Sequence, residues 1–410
     1  MSLYKSNNRY KIKLLFLISI VFLSIFIFFP KNNWKENLLQ NVRIYTCQPN
    51  FTTVYDNQNF KIKRLFYGFL NTMKKGCKYE SLKININFEN FDKIKEDRQI
   101  ALDHGVLTNP REISGTIVYK NKRYRSDIRL KGDLGNHWRV NKQWSLKIEL
   151  KDGKSINGMK EFSITKLIER RVPDNLIISN QFIRDGLISP KFKIYKTTVN
   201  GQNWGIVIAE EQFSNVFFEN RKLKDGLIFK LSNEASDKLS WYSEKQNIKL
   251  NKLLINKQDK VEIDIFNKKK INKYKHLQDQ ETLIRSIREQ LNSNASLDKK
   301  SILIKKYFDV NKFAKLFANV AVFNTFHSLG RMNIRYYLNP YNLIIEPIPT
   351  DNYYNLVSDK TDDYKTMLES VNIIYRTLFR DHNFKKVYKA SLLDIKSNVK
   401  KIKEDSNQIC

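Results

Sequence analysis

The spacing of apolar residues changes near residue 240, and this change constrains the fold more than any other feature of the sequence. Between residues 113 and 231, apolar residues alternate with polar ones over several short segments. Residues 263–292, 302–326 and 363–403 instead carry apolar residues three and four positions apart. Alternation is typical of strands, and the wider spacing is typical of helices. The sequence therefore predicts an α+β chain in which a β-rich lobe precedes an α-rich lobe.

Local patterns predict several individual strands. Residues 116–131 and 192–209 each hold two alternating runs around a central turn, which predicts two hairpins. Residues 82–88 alternate in the same way, and residues 333–348 predict a later strand pair.

We divide the chain into four segments on these patterns. Residues 1–30 are expected to form a cytoplasmic stub with a membrane anchor, and residues 31–112 an N-terminal extension. Residues 113–240 are predicted as the β-rich lobe and residues 241–410 as the α-rich lobe.

Composition excludes several classes of protein. Hydrophobic residues make up 41% of the 410 residues, enough for a core, so wholesale disorder is excluded. Three Cys and five His exclude a disulfide-dense scaffold and leave little room for a His-built metal site. The net charge of +31 favours the binding of polyanions in general. The basic residues are spread along the chain without a base-reading motif, so nucleic acid is not the expected partner.

Residues 14–29 form an uncharged apolar run that follows four basic residues, Lys5, Arg9, Lys11 and Lys13. A helix over residues 12–29 approaches the length of a hydrocarbon core of about 30 Å. No small-residue cleavage site follows, which favours an uncleaved signal anchor over a cleaved signal peptide. The preceding charges predict a cytoplasmic N terminus and an extracytoplasmic body. In that body, Cys47 and Cys77 are either a disulfide or two unrelated thiols.

Basic residues gather on two neighbouring segments of the β-rich part. Arg129, Lys131 and Lys147 alternate with apolar residues, and Lys142 lies just before the second segment. If the segments pair, three cations share one face of the sheet. A phosphate would relieve their mutual repulsion, and Gly132 would let the backbone approach it. The alternative is a solvated basic face.

Two carboxylates follow the last strand of the second hairpin. Glu210 and Glu211 stand where this strand runs into a predicted helix. Carboxylates stabilise the first turn of a helix, so capping is one interpretation. The other is that one of them orients a phosphate-binding lysine.

A polar loop after a buried helix carries a third group. His327 and Asn333 lie in this loop, and Asp351 ends the strand pair that follows. Asn and Asp oxygens can bind one hard cation together, and kinases place a metal-binding Asn and Asp around a hairpin in this order. The alternatives are a turn at Asn333 and a helix cap at Asp351.

Seven segments, between about residues 124 and 351, occur in an order that resembles the CotH kinase family. They are RLKGD at 129–133, KQWSLKIEL at 142–150, GMKEFSI at 158–164, LISPKF at 187–192, VNGQNWGIVIAEEQF at 199–213, GLIFKL at 226–231 and FHSLGRMNIRYYLNPYNLIIEPIPTD at 326–351. The resemblance implies an atypical protein-kinase-like two-lobe fold. It also implies ATP with Mg²⁺ or Mn²⁺ and phosphoryl transfer to Ser or Thr of a protein.

Carried over by position, the resemblance implies that Lys147 or Lys142 holds the nucleotide phosphates. Glu211, or its neighbour Glu210, would then orient that lysine.

The same resemblance implies that Asn333 and Asp351 hold the metal. Where the family has an Asp before the Asn, this chain has His327 and Ser328. His327 is therefore a candidate general base, with capping of a helix end as the alternative. An ATP-dependent enzyme outside a membrane needs a supply of ATP there. The alternative function is thus an inactive envelope protein that binds an anionic glycan or peptide in the same cleft.

Overall fold

The computed structural model describes most of the body of the chain, namely residues 79–170, 172, 174–231, 262–266, 268–330, 333–352 and 373–398. The predicted membrane helix at 12–29 lies outside these residues, as do Cys47 and Cys77. None of the helices in the described part is both long and apolar enough to cross a membrane.

Seven strands form a closed barrel: β1 (Glu80–Asn85), β2 (Ile113–Tyr119), β3 (Lys122–Leu130), β4 (Leu146–Leu150), β5 (Glu161–Lys166), β6 (Phe192–Val199) and β7 (Gln202–Glu211). Their order is β1-β2-β3-β4-β5-β7-β6, and β6 closes onto β1 in parallel. Both predicted hairpins are confirmed, β2–β3 and β6–β7. Each turns through two residues with positive φ, Lys120-Asn121 and Asn200-Gly201, the conformation that tight hairpins favour.

The interior of the barrel is apolar because the strands alternate as the sequence predicts. Leu130, Leu146 and Ile164 are almost fully buried in one core cluster with the other inward residues. Arg129 in β3 and Lys147 in β4 alternate with these apolar residues and lie opposite each other in the strand register. Their side chains are therefore on the outer face of the sheet.

The first strand extends the barrel beyond the region predicted for it. β1 lies within residues 31–112, which we predicted as an N-terminal extension, yet it pairs with both β2 and β6. Helix α1 (Phe88–His104) connects β1 to β2, and its Ile94 and Ala101 join the barrel core. Within the described residues, the β-rich part therefore begins at Glu80, the first residue of a strand that closes the barrel.

Helices dominate the rest of the described chain. They are α2 (Asp174–Arg184), α3 (Asn215–Glu219), α4 (Lys268–Ile271), α5 (Lys275–Asn292), α6 (Leu297–Tyr307), α7 (Val310–Phe323), α8 (Ile373–Leu378) and α9 (His382–Ser397). The predicted helix at 302–326 is interrupted, because the Asp309 carboxylate accepts a hydrogen bond from the Lys312 N–H at 2.9 Å and begins a new helix.

A second sheet contains β8 (Ile228–Lys230), β9 (Asp264–Ile265), β10 (Arg335–Leu338) and β11 (Ile345–Ile348) in the order β11-β10-β8-β9. It belongs to the helical half, where Phe229 and Tyr336 share a core with helices α5 to α9. Helix α2 joins this core through Ile178 and Phe182, although it lies between β5 and β6 in the chain. The α+β class is confirmed, with a closed barrel as its β-rich part.

We expect Ile84→Ala in β1 to lower the free energy of unfolding by about 2–5 kcal/mol, because Ile84 is fully buried in the barrel core. The neighbouring variant Lys83→Ala changes an exposed side chain of the same strand and should alter stability by no more than about 0.5 kcal/mol. Urea unfolding of both variants measures the difference. Equal stabilities would contradict an integral role of β1 in the barrel.

Candidate functional site

A buried arginine joins the barrel to the helical half. Arg170 ends the 3₁₀ helix Leu167–Arg170, which directly follows β5. One of its terminal nitrogens donates to Glu210 Oε2 at 2.7 Å, and the other donates to Asp351 Oδ1. Only 11% of the Arg170 side chain is exposed. The two carboxylates come from the end of β7 and from the loop after β11, so the ion pairs connect separate parts of the chain.

Lys131 lies beside the same carboxylate of the barrel. Its Nζ donates to Ser163 Oγ at 2.9 Å and lies 3.7 Å from Glu210 Oε2, so two cations share Glu210. Burial lowers the pKa of Lys131 to about 8, although the charge of Glu210 opposes this shift. This lysine therefore loses its charge more readily than an exposed lysine does.

The turn after Lys131 is held by a half-buried histidine, His137. The backbone at Gly132 has a φ of 96°, and a Cβ there would overlap the His137 ring. Ser145 Oγ lies 2.9 Å from His137 Nδ1 and 2.6 Å from Thr165 Oγ1. Burial lowers the pKa of His137 to about 3, so its ring is neutral at physiological pH. Gly132 thus accommodates a side chain of the protein itself at this turn, and these contacts fix the position of Lys131.

His327, Asn333 and Asp351, the third group predicted from the sequence, lie close together, and Asp351 connects them to Arg170. Asn333 Nδ2 donates to the His327 carbonyl at 2.8 Å, and the Thr350 hydroxyl donates to the Asn333 carbonyl. His327 Nε2 lies 3.9 Å from Asp351 Oδ2. Asp351 has a φ of 55°, a left-handed conformation that is uncommon for a residue other than glycine.

Positive charge dominates the surroundings of Asp351. Burial alone would raise the pKa of this carboxyl, but the neighbouring basic side chains lower it below its ordinary value, and these are Arg170, His327, Arg335 and Lys131. Burial would lower the pKa of Arg170, yet the charges of Asp351 and Glu210 raise it above its ordinary value. Both partners of this ion pair are therefore charged at neutral pH.

Three other predicted residues have partners outside this cluster. Lys147 Nζ lies 3.0 Å from Glu161 Oε2, and Arg129 Nε lies 3.8 Å from Glu112 Oε1. The Glu211 carboxylate accepts from Arg221 at 2.5 Å and from the Lys191 backbone N–H at 3.0 Å. An ion pair between Lys147 and Glu211 is thus absent, because the side chains of both are paired elsewhere.

Lys142 is exposed in the loop before β4, and no ion pair joins it to another described residue. Of the nine residues predicted from sequence, the structure brings together Lys131, Glu210, His327, Asn333 and Asp351. Sequence reasoning missed Arg170. It stands in the run Glu169-Arg170-Arg171 after a strand, a pattern that an ordinary surface turn would also show.

The oxygen donors around Asp351 suit a hard divalent cation. Asn333 uses its Nδ2 to donate, which leaves its Oδ1 available, and the buried Asn352 Oδ1 has no hydrogen-bond partner. Within the described residues, no three His, Cys, Asp or Glu side chains converge as a metal site would require. A kinase-type site completes the coordination of Mg²⁺ with phosphate oxygens, so it needs fewer protein carboxylates. The donor chemistry fits a metal, although Arg170 contacts Asp351.

The fold and the site define an α+β protein with a charged cluster between a barrel and a helical half. The family model for CotH kinase protein matches residues 128–404, about two thirds of the chain. The chain therefore belongs to the CotH kinase family. The matched segment contains every residue of the cluster and excludes β1, α1 and β2. A search of curated proteins finds no match to this chain.

We expect Gly132→Ala to lower the free energy of unfolding by about 1–3 kcal/mol, because the added Cβ overlaps His137 in a backbone conformation that favours glycine. Gly153→Ala is the matched control, since Gly153 also has a positive φ of 63° but no atom within 4 Å of the added Cβ. Gly153→Ala should lower the free energy of unfolding by about 1 kcal/mol. Urea unfolding measures the free energy of unfolding of both variants. An equal loss of stability in Gly153→Ala would contradict the argument that the added Cβ overlaps His137.

Proposed function

We propose that this protein transfers a phosphoryl group from ATP to Ser or Thr of a protein substrate, with the barrel and the helical half acting as the two lobes of a kinase-like fold. Family membership supports a kinase-like activity. The observation that carries the proposal is the cluster formed by Lys131, Glu210, Arg170 and Asp351, in which two cations and two carboxylates from both halves converge.

In this proposal Lys131 and Arg170 bind the nucleotide phosphates. A Lys–Glu ion pair that positions the lysine against the phosphates is a recurring part of protein kinases. Lys131 and Glu210 supply such a pair at 3.7 Å. We prefer Lys131 to Lys147 for this role because Lys147 is paired with Glu161.

Asn333 and Asp351 would hold Mg²⁺ or Mn²⁺ through their side-chain oxygens, with Asn352 Oδ1 as a further donor. Such an ion would neutralise negative charge on the phosphates. The Thr350 hydroxyl fixes the spacing of this group, because it donates to the carbonyl of Asn333 and directly precedes Asp351 in the chain.

The transfer itself exchanges one bond to phosphorus for another. The hydroxyl oxygen of the acceptor Ser or Thr forms a bond to the γ-phosphorus, and the bond between that phosphorus and the β–γ bridging oxygen breaks to release ADP. The hydroxyl proton passes to His327 Nε2, which is partly exposed and lies beside Asp351. His327 takes the place of the Asp that the family usually has before the Asn.

A second candidate function is binding without transfer. Arg170 contacts Asp351, and His327 occupies the position where the family resemblance predicts an Asp. Both features favour a site that binds an anion without catalysing phosphoryl transfer. The ligand would then be an anionic glycan or peptide of the cell envelope, attracted by the basic side chains of the cluster.

We also propose that residues 12–29 anchor the protein in a membrane, with the N terminus in the cytoplasm and the body outside it. The uncharged run and the basic residues before it support this arrangement. A protein substrate would in that case belong to the same compartment as the body.

Asp351→Ala should abolish metal-dependent nucleotide binding, because this variant loses the carboxylate that would hold the metal ion, and such an ion would supply several kcal/mol of charge stabilisation. Calorimetric titration of ATP with and without Mg²⁺ or Mn²⁺ measures this effect. A generic protein acceptor and radiolabelled ATP detect transfer in the same preparation.

His327→Ala is the contrasting variant. We expect it to retain nucleotide binding and to lower transfer by about a hundredfold, as loss of a general base does. Binding without transfer in the unmodified chain would support the second candidate function. Absence of metal-dependent binding at millimolar ATP would refute the kinase proposal, and unchanged binding in Asp351→Ala would place the metal elsewhere.

Nucleotide binding should weaken as pH rises through about 8, because deprotonated Lys131 no longer attracts phosphate. The charged groups that face Lys131 are Glu210, Arg170, Asp351 and Lys147. Each pH unit above 8 should then reduce affinity by up to about tenfold. Lys131→Arg stays charged in this range and should flatten the profile. A profile that is equally steep in this variant would exclude Lys131 as the titrating group.

A further inference from the structure

Arg170 has more hydrogen-bond donors than its two carboxylate partners use. Each terminal nitrogen contacts one carboxylate, Glu210 or Asp351. The Nε of Arg170 is buried and has no hydrogen-bond partner among the described residues. A buried donor without an acceptor is costly, and an arginine with spare donors is suited to the oxygens of a phosphate.

The same arginine would compete with a metal ion for Asp351. Asp351 Oδ1 accepts from Arg170, and His327 lies at 3.9 Å from Oδ2, so both carboxylate oxygens have basic neighbours. A divalent cation would have to displace Arg170 and would meet the repulsion of these basic groups. A displaced Arg170 would keep its positive charge in a mostly buried position without its second carboxylate partner, which is unfavourable.

We propose that Arg170 exchanges partners: it pairs with Asp351 in the free protein and donates to the nucleotide phosphates when a metal ion takes its place on Asp351. The proposal rests on the proposed function, since it assumes that a nucleotide binds at this cluster. Glu210 keeps its contacts with Arg170 or Lys131 in both states. No buried charge is left unpaired when metal and nucleotide arrive together, whereas the metal alone or the nucleotide alone leaves one unpaired.

The exchange predicts strong positive coupling between metal and nucleotide. Mn²⁺ alone should bind the protein weakly. A non-hydrolysable ATP analogue should raise the affinity of the protein for Mn²⁺ by at least about tenfold. In Arg170→Gln, Asp351 has lost its competing cation, so Mn²⁺ alone should bind at least about tenfold more tightly than to the unmodified protein. The coupling should then fall to the part that comes from contact between the metal and the phosphates, and affinity for the nucleotide analogue without metal should fall as well.

Electron paramagnetic resonance of free Mn²⁺ measures these affinities on the full chain, with and without the analogue, after subtraction of the Mn²⁺ that the analogue binds in protein-free solution. Arg170→Gln combined with Asp351→Asn should lose the gained Mn²⁺ binding, which assigns the ion to Asp351. Arg221→Gln is the matched control, because Arg221 is a similarly buried arginine, 13% exposed, that is paired with Glu211 away from the cluster. It should leave Mn²⁺ binding and the coupling unchanged.

Two results would overturn the proposal. One is tight Mn²⁺ binding to the unmodified protein without nucleotide, equal to that of Arg170→Gln. The other is a folded Arg170→Gln variant that gains no Mn²⁺ binding. If Arg170→Gln fails to fold, the unmodified protein still tests the proposal. A nucleotide analogue that leaves the Mn²⁺ affinity of the unmodified protein unchanged would exclude the exchange. Failure of the proposed function gives a different pattern, in which no variant binds the nucleotide while Arg170→Gln still gains Mn²⁺ at Asp351.

Discussion

A guanidinium between two carboxylates connects the barrel with the helical half, and the arrangement of the site depends on it. Arg170 reaches Glu210 at the end of β7 and Asp351 after β11, residues that are far apart in sequence. Buried ion pairs rarely add much net stability, because desolvation offsets the attraction of the charges. They do penalise other arrangements, since any of them leaves a buried charge unpaired. The contact therefore specifies where the two halves meet.

The barrel has two uses for the same strands. Inward residues such as Leu130 and Ile164 fill the core, and alternate residues on the outer face supply Ser163 and Glu210 to the site. A charged cluster on loops alone would be mobile, whereas strand residues are held by their ladder hydrogen bonds on both sides. His137 adds to this rigidity as a neutral ring packed under the turn at Gly132. The barrel thus holds Ser163 and Glu210, the two partners of Lys131, in fixed positions.

Excess positive charge is the chemical character of this site. A bound metal ion is often the largest local charge in its site. Here Arg170 supplies positive charge at Asp351 in the free protein. The Arg170–Asp351 ion pair accounts for a half-buried carboxylate that stays ionised, and the basic side chains around it suit an anion. Membership of the CotH kinase family is consistent with a phosphate as that anion.

The sequence by itself determined the α+β class, the two hairpins and the proximity of His327, Asn333 and Asp351, because each depends on local spacing or on a short connection through one strand pair. Only the tertiary structure decided that Lys131 pairs with Glu210 while Lys147 and Glu211 pair elsewhere. Period-two alternation assigns a residue to a face of a sheet, but it does not say which neighbour that side chain meets. Partner choice depends on non-local contacts, such as closure of the barrel by β1 and the approach of Arg170 to Asp351, and these are decided by packing across the whole chain.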